Sequence, residues 1–163
     1  MRTLFLLRHA KSSWDNTTLP DFERPLNQRG RTAAETIAAV LREKDIVPDL
    51  IVSSPAIRAK ETIEIIIQSA QLQSALRFEP RIYEATVGRL LEVIAEIDDQ
   101  AQTALLVGHN PGFEQLVTAL TAETQSMPTA ALAKITLDIS GWTDVTAGGT
   151  LEWIVRPKEW QHT

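Results

Sequence analysis

The sequence predicts an α/β fold: a three-layer α/β/α sandwich around a mainly parallel sheet, built as one domain over residues 1–163. Three observations lead there. Short apolar runs alternate with amphipathic stripes along the chain, the order expected of strands joined by crossover helices. Two strand-to-helix junctions place a proline where a helical stripe begins, in SSPAIR (53–58) and HNPG (109–112). No internal repeat, low-complexity segment or linker interrupts the alternation.

Thr3 to Leu7 is an apolar run and reads as the first strand, ending on Arg8 and His9. SSWDNTTLPDFERPLN (12–27) is polar, holds two prolines and reads as a long loop, a feature often tied to function. Asn27 is suited to cap a helix whose stripe is Ala34, Ile37, Ala38 and Leu41. Pro48 ends that helix, and DLIVSS (49–54) follows as a strand. Ser54 is expected at the next N-cap with Pro55 in the first helical position, ahead of the stripe Ile63, Ile66, Ile67 and Ala70. LRFEP (76–80) reads as a short strand. Thr86 to Ile97 is helical, with Leu90, Val93, Ile94 and Ile97 on one face. TALLVG (103–108) is a strand, after which Asn110 is the expected N-cap and Pro111 the first helical residue, with Phe113, Leu116, Val117 and Leu120 inward. Ile135, Leu137 and Ile139 alternate with polar residues, as do Leu151, Trp153 and Val155; both read as half-buried strands of an antiparallel edge.

The composition, 44% hydrophobic and 23% charged, suits a folded domain with a buried core. A formal charge of -5 argues against nucleic acid as a bulk partner, since no basic excess exists to neutralise a phosphate backbone. The chain has no cysteine, which removes disulfides, thiolate nucleophiles and cysteine metal sites. No apolar run approaches the length of a secretory signal or a membrane span, so no membrane partner and a cytoplasmic location are expected.

In open α/β sheets, ligands bind beyond the carboxyl ends of the strands. Arg8 and His9 follow the first strand, Arg58 stands on the first turn after the second, Glu84 follows the short third strand, and His109 follows TALLVG. The fold thus gathers two histidines, two arginines and a carboxylate at one edge. A metal is not expected: HxxH and HExxH spacings are absent and adjacent arginines oppose a cation. Neither GxGxxG nor a P-loop pattern is present, and no cofactor is expected.

LLRHAK, SSPAIRAKET and LLVGHNPG, in this order, resemble the motifs of the histidine phosphatase superfamily, with its phosphoglycerate-mutase-like fold. The short chain and the ERPLNQRG segment are most similar to the SixA-type phosphohistidine phosphatases. Ala10 departs from the glycine found in many members and leaves the Arg–His pattern intact. The resemblance implies a phosphatase that works through a phosphohistidine intermediate on His9. Arg8 and Arg58 would offer paired donors to the phosphoryl oxygens, and His109 would donate to another. The second ring nitrogen of His9 would carry its proton and donate to a backbone carbonyl. The two arginines would disfavour protonation of His9, as a nucleophile requires.

Glu84 is the expected general acid, with Asp15 as its rival. Ser12, Ser13 and Arg24 are candidate substrate contacts. His162 reads as a solvated tail residue, and the tryptophans are accounted for by edge packing. The expected partner is a protein carrying phosphohistidine or a small phosphate ester. A small-molecule phosphomonoesterase and a non-catalytic phosphoprotein-binding module remain alternatives. A mutase is disfavoured, because the chain lacks long insertions to enclose a sugar phosphate.

Overall fold

The computed structural model describes residues 1–160. His162, expected in the solvated tail, lies outside the described residues. In chain order the elements are β1 (Arg2–Arg8), α1 (Gln28–Glu43), β2 (Leu50–Ser53), α2 (Ile57–Ala70), β3 (Ala75–Phe78), α3 (Val87–Ala95), β4 (Thr103–Gly108), α4 (Gly112–Thr121), β5 (Leu132–Leu137) and β6 (Thr150–Val155). They form a six-stranded sheet in the order β3-β2-β4-β1-β5-β6. The first four strands of that order are parallel, whereas β5 runs antiparallel to β1 and β6 antiparallel to β5. The mainly parallel sheet and its antiparallel edge are those expected from the alternation. Among the described residues no helix is long and apolar enough to cross a membrane.

β1 explains why its sequence is apolar without alternation. Leu4 and Leu6 pack into one core with α3 and α4, while Phe5 and Leu7 pack into the other with α1 and α2. A strand covered on both faces has no solvent side on which to place polar residues. β1 and β4 lie together at the centre, paired Arg8 to Gly108, and β2 joins β4 with Ser53 opposite Val107. Three strand ends therefore finish level, and His9 N–H donates to Gly108 O at 3.0 Å.

Asn27 caps α1 as expected, its side chain accepting from Gly30 N–H at 2.8 Å, and Thr86 caps α3. Gly30 is required: a Cβ there would sit 2.2 Å from Lys11 O, so only glycine lets α1 close onto the chain that leaves β1. The two proline junctions differ from expectation. α2 begins at Ile57 with Ala56 at its N-cap, and α4 begins at Gly112 with Pro111 at its N-cap; neither has a side-chain cap. Ser54 and Asn110 stand too early to cap. Ser54 Oγ accepts from Ala56 N–H in a local turn, and the Asn110 amide donates to Glu114 and to Met127 O. Both side chains are engaged at the strand ends instead.

Candidate active site

The level ends of β1, β2 and β4 deliver the expected residues to one place. A pocket of about 300 Å³ is lined by Arg8, His9, Arg58 and His109, joined by Lys11 and Arg24. Its mouth is bordered by the exposed Lys11 and Trp14, so it opens to solvent. Ser12 also lines it, as expected, and is buried. Ser13 contributes its carbonyl, which accepts from Arg24.

His9 is buried, and its Nδ1 lies 2.7 Å from Ala10 O. A carbonyl can only accept, so Nδ1 carries the proton and Nε2 keeps a lone pair. Arg58 Nε points at that Nε2 from 3.4 Å. Burial first, then the cations Arg58, Arg8 and Arg24, push the His9 pKa down from 6.5 to about 4, against the raising effect of the bond to Ala10. The ring is neutral at neutral pH.

His109 stacks obliquely on His9, with ring centroids 5.1 Å apart. Its Nε2 is 2.7 Å from Ser54 Oγ. Ser54 is fully buried, and its oxygen already accepts from Ala56 N–H. A hydroxyl that donates its hydrogen to His109 Nε2 leaves the His109 proton on Nδ1. That Nδ1 is buried and meets no partner among the described residues. A buried ring nitrogen without a partner, in a pocket lined by cations, is a place for an anionic oxygen when it carries the proton. Burial first, then His9 and Arg58, lower the His109 pKa to about 3.

Arg58 is held from behind. Its Nη1 donates to Asp21 O at 2.8 Å and its Nη2 to Asp21 Oδ2 at 3.0 Å. Tyr83 Oη donates to the same carboxylate at 2.6 Å, the leading cause of the lowered Asp21 pKa. Tyr83 also meets His109 edge-on. Thr62 Oγ1 donates to Arg58 O and accepts from Ala10 N–H at 3.0 Å, tying α2 to the peptide that follows His9. Arg8 donates to Met127 O, while its buried Nε has no partner among the described residues. Arg24 Cζ lies 3.5 Å from the centre of the Trp14 ring, and the guanidinium pairs with Asp21.

Glu84 lies beside Tyr83 and not in the pocket lining. It is exposed, in a left-handed turn at φ 55°; Asp15 is likewise exposed in its loop. Asp21, Ser54, Thr62 and Tyr83 were not singled out as site residues by the sequence. Thr62 had a signal, since it stands one turn after Arg58 in RAKET. Asp21 had a weaker one, three residues before Arg24. Tyr83 had none, because its partner is 62 residues away.

The lowered histidine pKa values make a checkable pH profile. The ring protons of His9 should titrate by NMR with a midpoint near 4, not 6.5. An unfolded chain binds those protons first, so folding stability is full above about pH 6.5 and declines as pH falls towards 4. A His9 midpoint near 6.5 would refute both statements.

The sequence profile of the histidine phosphatase superfamily (branch 1) matches residues 4–106. The phosphohistidine phosphatase SixA of Escherichia coli is 28% identical over 158 residues, covering 94% of this chain and 93% of that protein. A crystal structure from Agrobacterium tumefaciens, assigned as the phosphohistidine phosphatase SixA, superposes with a TM-score of 0.82 at 29% identity, covering 96% and 98% of the two chains. The protein histidine phosphatase SixA complexed with tungstate superposes with a TM-score of 0.83 at 26% identity, covering 96% and 97%.

Proposed function

Because the chain belongs to the histidine phosphatase superfamily, branch 1, and is a phosphatase, we propose that it removes the phosphoryl group from phosphohistidine on a protein by way of a phosphorylated His9. The Nε2 lone pair attacks phosphorus in line, and the bond from phosphorus to the substrate imidazole breaks. Arg8, Arg58 and Arg24 hold the equatorial oxygens, and His109 Nδ1–H donates to one of them. The substrate ring, protonated on its distal nitrogen from solvent, departs as neutral imidazole. Water then attacks phosphorus, the bond to Nε2 breaks, and inorganic phosphate leaves with the proton shed by that water going to solvent.

One observation carries the choice of substrate class: among the described residues the pocket lining holds no carboxylate. An alkoxide leaves poorly unless an acid protonates it, whereas the imidazole of phosphohistidine is a far weaker base and departs without such help. Asp21, the carboxylate bonded to Arg58, is committed to Arg58 and Tyr83. The open mouth supports access for a phosphorylated side chain still attached to its protein. Likeness to phosphohistidine phosphatases, one of them complexed with the tetrahedral oxyanion tungstate, supports the same reading. Glu84, exposed and outside the pocket lining, supplies no acid in this reading.

A substrate panel tests this: a phosphohistidine protein, a phosphohistidine peptide and alkyl phosphates, compared by kcat/KM with His9→Ala as the blank. The phosphohistidine substrates should lead by about a hundredfold, the scale of one missing acid. Glu84→Gln should leave the hydrolysis of both substrate classes unchanged, since Glu84 lies outside the pocket lining. A preference for alkyl esters would instead support a small-molecule phosphomonoesterase. Stoichiometric capture of phosphate without turnover would indicate a binding module.

A further inference from the structure

We propose that the substrate protein is acidic around its phosphorylated histidine, and that a cationic groove continuous with the catalytic pocket holds this acidic flank; this rests on the phosphoprotein reading above. The groove encloses about 530 Å³, against about 300 Å³ for the catalytic pocket, and the two share Lys11 and Thr129 in their walls. One wall is the first half of α1, where Gln28, Thr32 and Thr36 recur every four residues with Arg29 and Ala33 beside them. The facing wall is the segment from Arg156 to Glu159 that follows β6.

The charge of this groove runs against that of the chain. The formal net charge is -5, yet the groove gathers Lys11, Arg29, Arg156 and Lys158 against the single carboxylate of Glu159. Arg156 is occupied by Gln125, Ser126 and Glu159. The side chains of Lys11, Arg29 and Lys158 are exposed and form no hydrogen bond or ion pair among the described residues. Like charges gathered in a cleft raise its potential and favour an incoming anion. The α1 N-terminus opens on the same wall and adds to that sign.

The walls also carry Ala33, Pro128 and Pro157, apolar surface suited to the methylene stems of glutamate and aspartate. The catalytic pocket receives the phosphoryl group, and the groove beside it is open to what surrounds that group. Anionic side chains on a protein surface match its sign, and their methylene stems match its largely apolar lining.

The test uses the full chain and two phosphohistidine peptides of one sequence, flanked by glutamates in one and by glutamines in the other. At low salt the glutamate peptide should have kcat/KM about five- to tenfold higher, expressed in KM, as expected for two or three exposed ion pairs. The difference should vanish in 0.5 M NaCl and in the double variant Arg29→Gln/Lys158→Gln. Hydrolysis of para-nitrophenyl phosphate by that variant should stay at the parent rate, which also reports that it is folded. Equal kcat/KM for the two peptides at low salt, or a preference that survives in the variant, overturns the proposal. Should neither peptide lose phosphate, the phosphohistidine reading fails by itself. Fluorescence anisotropy of the labelled unphosphorylated peptides then decides the groove: tighter binding of the glutamate peptide, lost in the variant, upholds it, and equal binding overturns it.

Discussion

His9→Ala is expected to lower kcat by roughly ten-thousand-fold or more, the scale seen when a covalent nucleophile is removed. The reaction as proposed has two displacements, and both use Nε2. Without that lone pair, water would have to attack the substrate directly in a pocket shaped for a ring nitrogen. Quenching wild-type turnover of radiolabelled substrate should trap acid-labile, alkali-stable phosphate on the chain, and the variant should trap none. The substitution removes the bond to Ala10 O and little else from the backbone, so circular dichroism should be unchanged. A variant that retained near-wild-type turnover would end the reading of His9 as nucleophile.

Arg58→Ala is expected to cost about a thousandfold in kcat/KM, as for loss of a main donor to a developing anionic charge. Arg58→Lys should recover only about tenfold of that. A lysine ammonium is a point charge and cannot hold phosphoryl oxygens bidentately while keeping two bonds to Asp21. The two variants separate charge from geometry: full recovery with lysine would mean that charge alone suffices. A second readout is independent of turnover. The Arg58 cation helps to hold the His9 pKa down, so its removal should move the NMR midpoint of His9 upward from about 4. An unmoved midpoint would show that Arg58 does not act on the nucleophile.

Most of the fold was legible because its signal is local. The apolar run from Thr3 to Leu7, the stripe from Ala34 to Leu41 and the alternation at Ile135 and Leu137 report the burial of each element's own faces. The misread helix starts are informative. Ser54 and Asn110 are good caps by residue type, yet Ser54 is taken by His109, 55 residues away, and Asn110 by Met127 O. A local rule cannot see a distant competitor for the same side chain. Glu84 illustrates the converse: it follows the correct strand, but its left-handed turn leaves it exposed and outside the pocket lining.

By itself, the sequence determined the order of strands and helices, and the placing of Arg8, His9, Arg58 and His109 at the edge where parallel strands end. Periodicity and covalent order are one-dimensional and survive in the unfolded chain. Tertiary structure alone decided the proton on His9 Nδ1, the grip of Asp21 on Arg58, the bond of Ser54 to His109, and the groove between α1 and the segment after β6. Each depends on which atoms meet within about 3 Å or across a cleft, after the parallel sheet has brought distant strand ends level. The pattern of residues named the chemistry; the packing chose the atoms that perform it.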